Sequence, residues 1–129
     1  KVVQKHTDRI FAILSEMNTS SSERQARLAI DYIQKNYMEP DLSLNSICSY
    51  LNISTSYFST IFKDETGETF TEALIRTRME KAKELLEKTT MKNYEIAEKV
   101  GFSDPHYFGI SFKKMTGYTP TEYAREKRK

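Results

Sequence analysis

The sequence predicts an all-α fold in which two similar helical subdomains share one long central helix, with a further helical segment at the N-terminus. Three observations carry this reading. Four Gly and three Pro in 129 residues, with no run that alternates apolar and polar positions, leave little material for a sheet and its turns. Residues 69–88 contain neither Gly nor Pro and place Ile75, Met79, Ala82 and Leu86 at steps of four, three and four, with Leu74 and Leu85 widening the stripe. The stretch 47–67 returns, nearly residue for residue, at 96–117.

The totals narrow the class. Hydrophobic content of 38% beside 29% charge allows a buried core under a solvated surface and argues against a disordered chain. The length suits one domain, or two very small subdomains on a shared strut. A net charge of +2 leans mildly towards anionic partners, and within 105–129 six Lys and Arg stand against Glu122 and Glu126. A single cysteine, Cys48, excludes an intramolecular disulfide and suits a reducing compartment. No apolar run approaches a membrane span and no signal-peptide pattern is present, so a cytoplasmic protein without a membrane partner is expected.

Taken in order, residues 2–17 carry Val3, Ile10, Leu14 and Met17 on one helical face, with Val2 and Ile13 beside them. The polar run 18–22 then reads as a linker. Two accounts of this segment stand open: a surface helix packed on the rest, or the end of a signalling helix from an upstream domain, which a chain opening on Lys1 without Met suggests. Residues 1–22 are accordingly assigned to an N-terminal helix and linker. Residues 23–129 form the main unit: subdomain one about 23–68, the linker helix 69–88, and subdomain two about 92–129.

Ser22 and Gln25 have the spacing of a capping box, and Leu28, Ile30, Tyr32, Ile33 and Tyr37 supply the apolar residues of the helix that follows. Met38-Glu39-Pro40-Asp41 stops it, because Pro disfavours helical geometry in the residue before it. A short helix from Ser43 to Leu51 turns Leu44, Ile47, Cys48 and Leu51 inward. Asn52-Ile53-Ser54 is a tight turn, Ser54 caps a helix running to Thr66, and Gly67 ends it. Thr69 and Glu72 cap the central helix. Afterwards the grammar repeats. Residues 94–100 turn Ile96, Ala97 and Val100 inward, Gly101-Phe102-Ser103 is the turn, and Asp104-Pro105 opens a helix that Gly117 closes. Thr119-Pro120-Thr121-Glu122 starts the last helix with Pro at its first position and another capping box, and 125–129 is expected to fray.

The two copies are offset by 49 residues at Ile47 and Ile96 and by 50 at Tyr57 and Tyr107, so one residue is inserted near the turn. Tyr57, Phe58, Phe62, Lys63, Gly67, Thr69 and Glu72 match Tyr107, Phe108, Phe112, Lys113, Gly117, Thr119 and Glu122. Each copy is a short helix, a three-residue turn and a longer helix, the pattern of a helix-turn-helix unit, whose second helix lies in the major groove of DNA. A central helix of this length spans roughly 30 Å, close to the roughly 34 to 36 Å of one duplex turn. Two readers on such a strut would enter successive major grooves of double-stranded DNA.

These residues resemble a known family. Phe-Lys-x-x-x-Gly closing the first unit at 62–67, Phe-Lys-Lys-Met-Thr-Gly-Tyr-Thr-Pro-Thr-Glu-Tyr closing the second at 112–123, Arg78-Met-Glu-Lys-Ala82-Lys-Glu-Leu-Leu86 on the strut and Glu95-Ile-Ala97-Glu-Lys-Val-Gly101-Phe102-Ser103 before the second turn are similar to the DNA-binding domain of AraC/XylS-type transcription regulators. The likeness covers about 24–123. Phe-Lys-Asp-Glu-Thr-Gly at 62–67 and Tyr-Ile-Gln-Lys-Asn-Tyr at 32–37 are most similar to domains attached to two-component response regulators. The resemblance implies a homeodomain-like pair of helix-turn-helix units, sequence-specific DNA binding in bacterial transcription, and no cofactor. As protein partners it implies RNA polymerase, an upstream sensor or receiver domain, and a second copy of the chain as a homodimer.

On the first reading helix Tyr57, Phe58, Ile61 and Phe62 are assigned inward, which leaves Thr55, Ser56, Ser59, Thr60 and Lys63 facing out. The matched outward set is Pro105, His106, Gly109, Ile110 and Lys113. Thr60 and Ile110 stand where the resembling family often carries Arg, the side chain that pairs bidentately with guanine. Hydroxyls and methyls in those places predict modest, A·T-leaning specificity aided by DNA shape. Candidates for phosphate contact are Ser43, Asn45, Lys63, Asn93, Lys113, Lys114 and Thr119, each of which equally suits a solvated group or a plain cap. Arg78 is read as a structural ion pair with a nearby carboxylate in preference to a phosphate contact. His106 and His6 are too far apart in sequence to suggest a metal pair. Cys48 reads as a small core residue, and Phe58, Phe62, Phe108 and Phe112 as core anchors. No paired carboxylates, metal ligands or activated nucleophile mark an enzyme. The competing class is a helical protein-interaction module that has lost DNA binding.

Overall fold

The computed structural model describes residues 21–127, which form seven α-helices and no strand: α1 (Ser21–Asn36), α2 (Leu44–Leu51), α3 (Thr55–Thr66), α4 (Phe70–Lys88), α5 (Asn93–Lys99), α6 (Pro105–Thr116) and α7 (Pro120–Lys127). The helix expected over 2–17 lies outside the described residues. Ser21 and Ser22, assigned to the linker, are already helical, so Ser22 does not start α1 through a capping box with Gln25. Its hydroxyl instead donates to Glu65 Oε2 at 3.2 Å, at the far end of α3.

Two separate cores form, one for each copy of the repeat. The first gathers Ala26, Ala29 and Ile33 of α1, Ile47 and Cys48 of α2, Phe58 and Phe62 of α3, and Phe70, Ala73 and Leu74 of α4. The second gathers Met79, Ala82 and Leu86 of α4, Ile96, Ala97, Val100 and Phe102 around α5, Phe108 and Phe112 of α6, and Tyr123 of α7. The strut therefore has two buried faces where its sequence suggested one stripe. From Leu74 to Met79 is five residues, roughly 140° round a helix, so successive halves of α4 present different sides to different cores. Ile75 and Leu85 sit half-buried at the edge of the second.

On α1 the inward residues differ from those expected. Leu28 and Ile30 are more than two-fifths exposed, while Ala26, Ala29 and Ile33 are buried. Those three follow the i, i+3, i+7 spacing of one helical face, and two small side chains let α1 lie close against α3.

Local chemistry repeats with the fold. Thr69 Oγ1 accepts from the Glu72 N–H at 3.1 Å and Glu72 Oε1 accepts from the Thr69 N–H at 2.9 Å; Thr119 and Glu122 make the same two bonds at 3.1 and 2.9 Å. Gly67 and Gly117 end α3 and α6 at φ of 86° and 87°. Asn52 and Gly101 take the left-handed place in the two turns, and Ile53 and Phe102 each return an N–H to the helix before. Ser54 caps α3 and Asp104 caps α6, so the inserted residue is Ser103, a solvent-exposed addition between turn and cap. The last helix runs to Lys127, and the remainder of the tail expected to fray lies outside the described residues.

Arg78 is only 7% exposed. Its partners are backbone carbonyls, Tyr37 O at 2.7 Å from Nε and Glu39 O at 2.9 Å from Nη2, where the sequence suggested a carboxylate. Residues 37–39 lie just past α1, and Glu39 O also accepts from the Leu42 N–H at 3.1 Å.

Tyr123 closes the second core and donates its hydroxyl to Glu87 Oε2 at 2.6 Å. Burial, reinforced by that carboxylate, pushes the phenol up to about 12. The neutral phenol is thus favoured in the folded state, and its contribution is complete below the ordinary value of about 10 and lost as pH rises towards 12. Replacing Tyr123 by Phe is expected to cost about 1 kcal/mol near neutrality. It should also flatten the fall in unfolding free energy between pH 10 and 12, measured by urea titration at each pH.

Candidate nucleic-acid interface

The outward sides of α3 and α6 result from what their inward sides must bury. Phe58, Ile61 and Phe62 are sunk in the first unit, and Phe108, Ser111 and Phe112 in the second. The opposite faces are left to solvent: Ser56, Ser59, Thr60 and Lys63 on α3 and Pro105, His106, Ile110 and Lys113 on α6 are exposed, with Thr55 and Gly109 half-buried. Ile110 is 53% exposed and presents an apolar side chain on this face.

Pro105, His106, Gly109, Ile110, Lys113, Lys114 and Thr119 come together with Pro120 round one open hollow of about 540 Å³ on the outer side of α6. Four sequence-derived base-facing candidates thus share a wall with three phosphate candidates. In the first unit the gathering is looser. Asn45 and Thr55 line a hollow of about 520 Å³ with Asn52, Ile53 and Ser54, while Ser56, Ser59, Thr60 and Lys63 lie along α3 outside it. Ser43 and Asn93 line neither hollow.

Several of these groups have intramolecular work. Ser43 Oγ accepts from the Ser46 N–H at 3.1 Å as the cap of α2. Asn93 Nδ2 donates to Thr121 Oγ1 at 2.9 Å, tying α5 to α7. Thr60 Oγ1 donates to Ser56 O at 3.2 Å, within α3 itself. The Glu122 carboxyl is held below its usual range, first by the Thr119 N–H and further by the nearby positive charge of Lys113, so an anion sits beside this basic edge. Lys113 and Lys114 remain exposed in the last turn of α6.

Tyr57 and Tyr107 correct the sequence-based assignment. The sequence placed Tyr57 inward, yet the two rings are 44% and 49% exposed. The position immediately before a buried Phe lies about 100° round the helix from it, which puts both rings on the flank of the reading face. Their recurrence at matched positions was the available signal. Tyr107 packs on Phe102 with ring centroids 5.6 Å apart and lines a second groove, of about 440 Å³, with Ile110, Ile75 and Arg76. Arg76 is fixed there by Glu68, Nη2 to Oε2 at 2.6 Å.

Among the described residues no three His, Cys, Asp or Glu side chains converge as metal ligands would, and no helix is long and apolar enough to cross a membrane. Cys48 is buried, and burial pushes its thiol up, away from the reactive thiolate.

A family model described as a helix-turn-helix domain matches residues 47–126. The raffinose operon transcriptional regulatory protein RafR of Pediococcus pentosaceus is 34% identical over 104 residues, which is 81% of this chain and 37% of RafR. Among solved structures, the C-terminal domain of the response regulator AraT from Geobacillus stearothermophilus is 43% identical with a TM-score of 0.79, covering 83% of this chain and 88% of that domain. The C-terminal domain of the two-component response regulator YesN from Fusobacterium nucleatum is 42% identical with a TM-score of 0.74, covering 76% and 95%. The chain spans little more than half, or less, of the curated relatives it matches first.

Proposed function

Because this chain belongs to the AraC-type helix-turn-helix family of DNA-binding transcription regulators, we propose that it sets α3 and α6 into successive major grooves on one side of a duplex and reads a promoter there. One observation carries the geometry: two capped, separately cored copies of the same unit hang on a single 19-residue helix with their reading faces free. Bases are met by Thr55, Ser56, Ser59 and Thr60 from α3 and by Pro105, His106, Gly109 and Ile110 from α6. Phosphates are met by Lys63, Lys113, Lys114 and Thr119, and by the starts of α2 and α5 through Ser43, Asn45 and Asn93. The methyls of Ile110 and Thr60 favour thymine contacts.

Residues 23–129 form this DNA-binding unit in the proposed division, and residues 1–22 connect it to an upstream sensor or receiver domain. The greater length of the relatives supports that connection. The setting is the cytoplasm, with RNA polymerase as the protein contacted at the promoter and a second copy of the chain bound alongside.

Selection from a random duplex pool, followed by salt titration of the winners, tests the proposal. The expected result is two short half-sites about one helical turn apart, rich in A·T opposite α6, with affinity falling steeply as salt rises. Invariant guanines opposite α6 would sink the thymine reading. Weak, unselective binding would sink the double-reader mechanism and favour a protein-interaction module.

A further inference from the structure

We infer that Arg78 is a positioning residue that locks the two helix-turn-helix units to one another, and that this lock sets the spacing of half-sites the protein accepts. The second clause rests on α3 and α6 reading DNA; the first does not.

A long helix fixes how far apart its ends are, yet leaves each unit free to lean and turn about it unless something else joins them. The two cores here share no buried residue. The join is made at Arg78, between Leu74, the last buried apolar residue α4 gives to the first core, and Met79, the first fully buried one it gives to the second, with half-buried Ile75 already at that core's edge. On one side its guanidinium donates to Tyr37 O and Glu39 O, beyond the C-terminal end of α1, where the helix dipole is negative. On the other it lies 5.5 Å from the ring centroid of Phe102 in the second turn. Phe102 packs edge-on against Phe108 of α6, centroids 5.5 Å apart. A continuous chain of contacts thus runs from the end of α1 to the second reading helix.

The backbone closes the same joint. Gly101 takes φ of 107°, and a Cβ there would stand 2.4 Å from Tyr37 O and 2.8 Å from Arg78 Nε. The turn of unit two therefore rests directly on the end of α1. Tyr37, half-buried, packs against both cores. A buried guanidinium facing carbonyls alone is a costly way to fill space, and an apolar side chain would serve stability as well or better. What Arg adds is a rigid planar fork that donates in two fixed directions while stacking on a ring. Lys offers a single point charge on a flexible stem.

The test compares the full chain with its Arg78→Met and Arg78→Lys variants, binding the selected site and the same site with one or two base pairs inserted between half-sites. Each insertion moves the second half-site by roughly 3.4 Å and about 34°. The unaltered protein is expected to lose on the order of 100-fold in affinity, since one reader must let go. Arg78→Met should lose less than about tenfold across the same series, with Arg78→Lys between. Tolerance of the insertion by the unaltered protein, or an unchanged spacing ratio in Arg78→Met, would overturn the inference.

A DNA-free measurement separates the lock from the reading. Spin labels at Asp64 and Met115, both exposed, in a Cys48→Ala background should show a narrow distance distribution that broadens in Arg78→Met. An unbroadened distribution overturns the lock, whereas broadening in a protein that selects no DNA site leaves the lock standing and fails the reading. Should Arg78→Met not fold by circular dichroism, Arg78→Lys carries both readouts.

Discussion

Reversing charge at both Lys63 and Lys113 is expected to weaken duplex binding by about 100- to 1,000-fold at physiological salt and to lower the salt slope by about two. The two lysines occupy the same place in the two copies, one turn from the glycine that ends each reading helix, and both are exposed. Each is positioned to neutralise one phosphate flanking its groove. A Glu there removes that attraction and adds repulsion, and the loss applies to every sequence alike because phosphates carry no sequence information. The fold should tolerate the change. A negative charge in the last turn opposes the helix dipole by about 1 kcal/mol at each site, and at Lys113 it also meets Glu122. A drop of several degrees in melting temperature is the outcome expected from circular dichroism, far short of unfolding. Affinity unchanged in a fluorescence titration would remove both lysines from the interface.

Phe112→Ala is expected to cost about 3 to 5 kcal/mol and to unfold subdomain two while subdomain one stays folded. Phe112 is fully buried, meets Tyr123 edge-on with centroids 5.3 Å apart, and packs at a tilt against Phe108 at 5.8 Å. So small a core holds few other large side chains, and a void at its centre removes most of the margin a unit of this size has. The first core contains no residue from beyond α4, so it loses nothing directly. Denaturant titration followed by circular dichroism should split into two steps, the early one absent from the unaltered protein. One cooperative transition with a loss below about 1.5 kcal/mol would mean that the units fold as one.

Much of this architecture was legible because it is written in residue types with single roles. Thr69 with Glu72, Thr119 with Glu122, Ser54, Gly67 and Gly117 sit at helix ends where few alternatives satisfy the same backbone groups, and the repeat checks each against its twin. Burial was harder to read where size and polarity disagree. Leu28 and Ile30 are large and apolar yet face out, because Ala26 and Ala29 allow the closer packing. Tyr57 was assigned by its ring, while its phase on α3 puts it at the flank. Arg78 found carbonyls where a carboxylate was expected, since a bond across 41 residues to the end of another helix leaves no local pattern. The outward faces of α3 and α6 followed by subtraction from their buried ones, which names the side chains that can meet a partner without ranking them.

The caps that open α4 and α7 agree down to equal bond lengths at Thr69 and Thr119, and the outward Lys63 matches Lys113, whereas the base-facing candidates differ at every matched place: Thr55, Ser56, Ser59 and Thr60 against Pro105, His106, Gly109 and Ile110. Scaffold and message are therefore written in separate residues. None of these eight side chains lies in either hydrophobic core or makes a helix-capping bond. The address this domain recognises can drift, or be rewritten by design, one half at a time, while the machinery that presents it keeps its shape.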